Sequence, residues 1–301
     1  MDAAKAQVLL DIGLLALGAL ALGLPLFALM RQRENSLGWH HHGNVWTAPY
    51  DRIDLAVACL LFGYFFINIA VPAATIAASP DTPAGEVPSE PEGVSEGGGP
   101  GLSKLGAALV GMVFFAGLGC GVFAYATVLR QRNPTQIFGL DRMRPWQIAL
   151  WAIGAMVPTY LVMGGLALLW VHFFQPLWGG DDGDLQEVVK MIRDDPDPVL
   201  RLVLIFSAVI VAPFVEETLF RGFLYPVIKR YSDRFFAAVV TALLFATVHG
   251  TVPGLMPLFG LAIILTAAYE ITGSLWVPIA IHATFNSIQT IGILVIGGHV
   301  G

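Results

Sequence analysis

The chain has 301 residues, of which 56% are hydrophobic and 13% charged, with a mean hydropathy of +0.70. Soluble domains carry about 25% charged residues, so this composition excludes an ordinary soluble domain and predicts a polytopic membrane protein, whose length sets a number of helices. A net charge of −6 argues against nucleic-acid binding.

A bilayer crossing takes about 20 mostly apolar residues. In chain order the candidates are Val8–Met30, Ile53–Ala78, Leu105–Leu129, Ile148–Phe174 and Leu202–Ile228. Residues 235–269 are too long for one crossing. Gly250, Pro253, Gly254 and Pro257 divide them into Phe235–His249 and Leu255–Tyr269. Trp276–Ile296 is the last. The first stretch is too long for a signal-peptide core and ends in Arg31-Gln32-Arg33 without a small-residue cleavage site, so it reads as a retained helix. The expected fold class is therefore all-α, a polytopic membrane bundle of about eight transmembrane helices.

Basic loops alternate with non-basic ones. Arg31, Arg33 and Arg52, then Arg130, Arg132, Arg142 and Arg144, then Lys229, Arg230 and Arg234 form the basic set. Acidic segments at 81–96 and 181–197 lie between them. The positive-inside rule then predicts non-cytoplasmic termini. Residues 79–104 are rich in Pro, Gly, Ser and Glu and read as a flexible linker. This divides the chain into a two-helix hairpin (1–78), the linker (79–104) and a six-helix membrane domain (105–301). Residues 184–193 place Leu185, Val188, Val189 and Ile192 at helical spacing, which suits a short interfacial or loop helix.

Isolated polar residues are read conservatively. Cys59 and Cys120 lack metal-ligand spacing and read as small core residues. His40-His41-His42 reads as a solvated loop. Asp11 and Asp54 lie near helix ends, where charge reaches the interface, and are given no role. Pro158 predicts a kink in the fourth span.

Three polar clusters in the last hundred residues stand apart: Glu216-Glu217-Thr218-Leu219-Phe220-Arg221, Phe245-Ala246-Thr247-Val248-His249, and His282-Ala283-Thr284-Phe285-Asn286. An ionisable side chain in a membrane core costs at least roughly 2.5 kcal/mol. In a helix of 3.6 residues per turn, neighbours point about 100° apart, so Glu216 and Glu217 face different ways. Glu217 and Arg221, four apart, share a face and can neutralise each other. Glu216 has no partner in its own helix, which suits a general base. His282 and Asn286 are again four apart on one face. If the three helices pack together, Glu216, His249, His282 and Asn286 converge.

The ordered set Glu-Glu-x-x-x-Arg, Phe-x-x-x-His and His-x-x-x-Asn resembles the three-motif signature of the CPBP intramembrane protease family, which includes the type II CAAX prenyl endopeptidase and the bacterial abortive-infection-type proteins. The run from Gly273 to His282 is similar to this family too. The resemblance covers about residues 202–291. It implies a helical membrane fold with a water-accessible cavity. It implies that Glu216 activates water with help from His249, that His282 and Asn286 hold the oxyanion, and that Glu217 and Arg221 brace the site. If a metal is present, Glu216, His249 and His282 are the ligands expected for zinc. The sequence lacks His-Glu-x-x-His, and metal-free chemistry accounts better for Asn286, so that reading is favoured, with zinc the alternative.

The expected function is an intramembrane endopeptidase acting on a membrane-anchored protein or peptide. Membrane lipid is the other partner, nucleic acid is not one, and a bacterial cell membrane is the expected location. The alternatives are a non-enzymatic adaptor or chaperone on the same scaffold and an ion-coupled carrier.

Overall fold

The computed structural model describes residues 43–77, 103–178, 187–250 and 253–297. The first expected span, the histidine run and most of the linker lie outside these residues. Thirteen helices follow in order among the described residues: α1 (Arg52–Ala77), α2 (Lys104–Ala124), α3 (Pro134–Phe138), α4 (Pro145–Gly154), α5 (Met156–Leu169), α6 (Gln175–Trp178), α7 (Glu187–Asp194), α8 (Pro198–Phe206), α9 (Ala212–Glu217), α10 (Tyr225–Tyr231), α11 (Arg234–Val248), α12 (Leu255–Thr272) and α13 (Trp276–Gly297). Wider π-helical turns at Tyr125–Leu129, Trp170–Phe174, Ser207–Val211 and Thr218–Leu224 make several of these continuous. No strand occurs among the described residues.

Five of the resulting rods are long and apolar enough to cross a membrane: Lys104–Leu129, Pro145–Phe174, Pro198–Tyr231, Leu255–Thr272 and Trp276–Val295. Arg234–Val248 is apolar but shorter. Helix starts follow from local chemistry. Side chains of Ser103, Asn133, Asp197 and Asp233 accept hydrogen bonds from the free N–H groups of the helices they precede. Pro134 and Pro198 occupy first-turn positions, where no N–H is missed. The rod from Pro145 breaks at Ala155, one turn before Pro158, which has no N–H for the Gly154 carbonyl.

The core gathers around the Thr218–Leu224 turn. Phe220, Phe223 and Leu224 pack there with Phe245 of α11, Phe138 of α3 and Phe62 of α1. Helix α11 packs on α12, α12 on α5, and α13 on α4. Gly139 ends α3 at φ 61°, and a Cβ there would lie 1.9 Å from the Gly273 carbonyl oxygen. That close approach lets the Phe138 carbonyl accept from Leu275 N at 2.9 Å, linking α3 to the start of α13.

Three readings of single residues change. Asp54 does not reach an interface: it is fully buried. It accepts from Arg132 Nη1 at 3.1 Å and Tyr125 Oη at 2.9 Å, with Arg130 Nε at 3.6 Å. The arginines of the 130–132 connection thus neutralise a buried carboxylate. Lys229 does not belong to a solvated basic loop. It is buried in α10 and pairs with Glu270, which also accepts from Tyr225 Oη at 2.7 Å. Cys120 lies on an exposed helix face and Cys59 is half-buried, so neither is a core residue. The expected short helix near 184–193 is present as Glu187–Asp194.

Helix α2 reaches the acid-bearing segment through Gly119, where a Cβ would stand 2.9 Å from Val215 Cγ2 and 3.3 Å from Val215 Cα. Gly121, one step along, faces open space. Two substitutions of the same kind should therefore have opposite signs. Gly121→Ala is expected to raise the melting temperature in detergent, because it gains up to about 1 kcal/mol of helix propensity. Gly119→Ala is expected to lower it, since overpacking costs roughly 1–3 kcal/mol. Equal shifts in the two variants would refute the close approach.

Candidate active site

Glu216 and Glu217 end α9, a short α-helical stretch between two π-helical turns. Regular 3.6-residue geometry, on which the sequence reading relied, therefore does not run through the motif. Two prolines account for the special carbonyls at either side. In the first turn Ala212 N bonds Ser207 O, five residues back. In that register Pro213 is the next donor, and it has no N–H, so the Ala208 carbonyl is left over. Asn286 Nδ2 donates to it at 2.8 Å. Near the second turn Pro226 brings no N–H to the Gly222 carbonyl four residues back, and Tyr50 Oη donates to that oxygen at 2.9 Å. Buried main-chain acceptors need partners, and here two side chains remote in sequence supply them. The Arg132 guanidinium lies 4.9 Å from the centre of the Tyr50 ring. The buried Asp54 cluster therefore connects to the segment that carries the acids.

The Glu217–Arg221 pair forms as expected, Nη1 donating to Oε1 at 2.9 Å with both side chains buried. Arg221 also donates through Nη2 to Ala262 O at 2.9 Å, and its Nε lies 3.4 Å from Thr266 Oγ1. Its guanidinium stands 4.9 Å from the Phe245 ring centre. The arginine thus fastens the π-helical turn to α12 and α11. Glu217 has a second partner that the spacing did not reveal: His282 Nδ1 lies 2.9 Å from the same Oε1.

Glu216, His249 and His282 do converge. Glu216 Oε2 is 3.8 Å from His249 Nε2 and 3.9 Å from His282 Nε2. That oxygen is buried and makes no hydrogen bond within the protein. Both rings are held from behind. His249 Nδ1 lies 2.6 Å from Phe245 O, which can only accept, and His282 Nδ1 faces a carboxylate paired with arginine. Each Nδ1 therefore carries a proton, and each ring turns its Nε2 toward Glu216. Asn286 does not join this group directly. It makes no hydrogen bond with Glu216, His249 or His282 and is held on Ala208 O.

The zinc alternative can be set against these positions. Two imidazoles backed at Nδ1 and one carboxylate are suitable donor types. Among the described residues, however, no group of three His, Cys, Asp or Glu side chains is placed to hold a metal ion. Ligands about 2.0–2.2 Å from a tetrahedral zinc would approach each other more closely than 3.8–3.9 Å.

A cavity of about 320 Å³ opens beside Glu216 and His249. Its far wall comes from α1 and α2, with Tyr64, Phe65 and Phe115. No sequence signal singled out these aromatics, which lie in apolar runs where packing is the ordinary role. Phe245 and Thr266 were equally unmarked beyond the Phe-x-x-x-His spacing. Two other cavities, near Ala155 and beside residues 43–48, lie away from the acids and histidines.

Residues 198–288 match the family described as type II CAAX prenyl endopeptidase Rce1-like. In this segment the chain is similar to the Rce1-like family. The chain is 26% identical over 142 residues to the putative membrane peptidase YdiL of Bacillus subtilis (strain 168), covering 47% of this chain and 55% of the relative. An uncharacterized 24.3 kDa protein of Escherichia coli is 32% identical over 139 residues, 44% of this chain and 58% of that protein. The membrane-embedded CAAX protease MroQ of Staphylococcus aureus (strain USA300) is 28% identical over 172 residues, 54% of this chain and 65% of MroQ. The chain thus spans somewhat more than half the length of the curated relatives it matches. No solved structure matches it. The Rce1-like segment contains all six polar motif residues, and α1 and α2 lie outside it. With five helices among the described residues long and apolar enough to cross a bilayer, the chain is a multi-pass integral membrane protein.

Proposed function

We propose that this chain is an intramembrane endopeptidase that hydrolyses a peptide bond of a membrane-associated protein or peptide. The observation that carries the reading is the buried Glu216 Oε2, faced by two imidazole Nε2 atoms and free of hydrogen bonds within the protein. The printed names of YdiL and MroQ, a membrane peptidase and a CAAX protease, support the same reaction class.

In this mechanism Glu216 removes a proton from water as the oxygen attacks the substrate carbonyl carbon. His249 Nε2 accepts the other hydrogen of that water and orients it. The carbonyl π pair moves onto oxygen, and preorganised donors stabilise that charge. His282 Nε2 is one such donor in this reading, its ring fixed through Nδ1 beside Glu217 Oε1. The second hydrogen of Asn286 Nδ2, not used on Ala208 O, is the other donor. Collapse of the intermediate breaks the C–N bond, and the proton held by Glu216 passes to the leaving amine. Glu217 and Arg221 hold His282 and the π-helical turn in place. The eight-span arrangement belongs to the same proposal, supported by α1 and α11 beside the five candidate membrane spans.

The test is incubation of the purified protein in detergent with membrane-anchored peptides and with native membranes, products being identified by mass spectrometry. Defined cleavage products are expected from the wild type and none from His249→Ala or His282→Ala. Undiminished cleavage by either variant would remove that histidine from the chemistry. Absence of cleavage, with partner capture that survives Glu216→Gln, would instead favour an adaptor. Treatment with a zinc chelator is expected to leave the rate unchanged. Loss of activity that zinc restores would overturn the metal-free mechanism.

A further inference from the structure

The cavity beside Glu216 has an uneven distribution of chemistry. Among the described residues that line it, Glu216 and His249 supply the carboxylate and the imidazole. The opposite wall is built from Tyr64 and Phe65 of α1 and Phe115 and Leu118 of α2. Ring contacts make the aromatic wall continuous with the reactive groups. Phe65 stacks on Phe220 with ring centres 6.2 Å apart, Phe220 meets Phe245 edge-on at 5.2 Å, and Phe245 touches the His249 ring at 4.6 Å. Tyr64 is half-exposed, so the wall reaches the open side of the cavity.

Resting on the peptidase reading, we propose that Tyr64, Phe65 and Phe115 select the substrate by receiving one large apolar side chain, aliphatic or aromatic, that flanks the scissile bond. Three features commit the site to this occupant. The cavity, about 320 Å³, is at the low end of the roughly 300–1,000 Å³ found for ligand pockets, enough for one bulky side chain with its backbone and too small for a long lipid chain. Its carboxylate and imidazole lie where the scissile carbonyl must stand. A charged substrate side chain would lose its hydration against the aromatic wall without gaining a partner. Selection thus falls to α1 and α2, which lie outside the Rce1-like segment, so the shared motifs supply the chemistry and the other helices the preference.

The test uses unlipidated transmembrane peptides that differ only at the residues flanking the cleavage site mapped by mass spectrometry. Replacing a leucine or phenylalanine there with glycine is expected to lower kcat/KM by about 10–200-fold, the range a hydrophobic pocket yields. Tyr64→Ala with Phe115→Ala is expected to reduce that discrimination at least about tenfold. Phe115→Trp, which keeps the wall filled, is expected to shift preference from phenylalanine toward valine or alanine, with an unchanged melting temperature. Cleavage that stays Glu216-dependent but is indifferent to the flanking residue, in wild type and variants alike, overturns this inference and leaves the peptidase reading intact. Cleavage confined to peptides bearing a lipid chain on cysteine overturns it as well. No Glu216-dependent cleavage of any peptide defeats the parent reading and this inference with it.

Discussion

Glu216→Gln is expected to lower the rate of peptide hydrolysis by about 10²–10⁴-fold, the contribution of a positioned general base, while the protein remains folded. The substitution keeps the shape and removes the ability to accept a proton. Its effect on stability should be neutral or favourable. In the wild type, Glu216 Oε2 faces two Nε2 atoms at 3.8 and 3.9 Å, each an acceptor in its neutral form. A carboxamide placed there can donate to His249 Nε2, whose Nδ1 is held on Phe245 O. Initial rates from product mass spectrometry, together with a melting curve in detergent, measure both halves of the expectation. A variant that cleaves at the wild-type rate would show that Glu216 is not the base. A variant that fails to fold would show that its charge is structural.

Arg221→Met is expected to destabilise the protein by roughly 3–5 kcal/mol, the usual cost of removing one partner of a buried ion pair. The loss arises from what stays behind. Glu217 would keep its burial with only His282 as a hydrogen-bond partner, and Ala262 O would lose its donor. The double variant Glu217→Leu/Arg221→Met removes both charges and is expected to recover most of the stability, because apolar replacement of a whole buried pair is often neutral. Activity should not recover with it. His282 would lose the acceptor that holds its Nδ1 proton, and the ring would no longer be fixed in orientation. Melting temperatures and cleavage rates of the three proteins separate the two roles. A double variant as unstable as Arg221→Met would show that the arginine's bonds to α12, not its charge, are what matter.

Much of the site was legible before any coordinates. The Glu217–Arg221 pair depends only on residues one helical turn apart, and the structure contains it. The three polar clusters stood out because ionisable groups are costly in apolar segments. Helix positions were equally accessible: seven of the apolar stretches read from the sequence coincide with helices among the described residues. Asp54 was misread because its neighbours in sequence leave it beside an interface, whereas its arginine partners are more than seventy residues away. Helical spacing puts Asn286 on the face of His282 but does not name its hydrogen-bond partner. Its actual acceptor, Ala208 O, is left over by a π-helical register meeting Pro213.

By itself the sequence determined the properties that depend on a window of about one to six helical turns. These are bilayer-length apolar runs, caps and prolines at helix starts, a self-neutralising i,i+4 pair, and one acid without a local partner. Tertiary structure decided the rest. It selected which carbonyls the prolines left unsatisfied, which remote side chains filled them, how two imidazoles were backed so that both Nε2 atoms face Glu216, and which helices wall the adjacent cavity. The physical reason is one of range. Hydrogen-bond register and hydrophobic period are local to the chain, whereas partners for buried polar groups are chosen by packing among segments far apart in it.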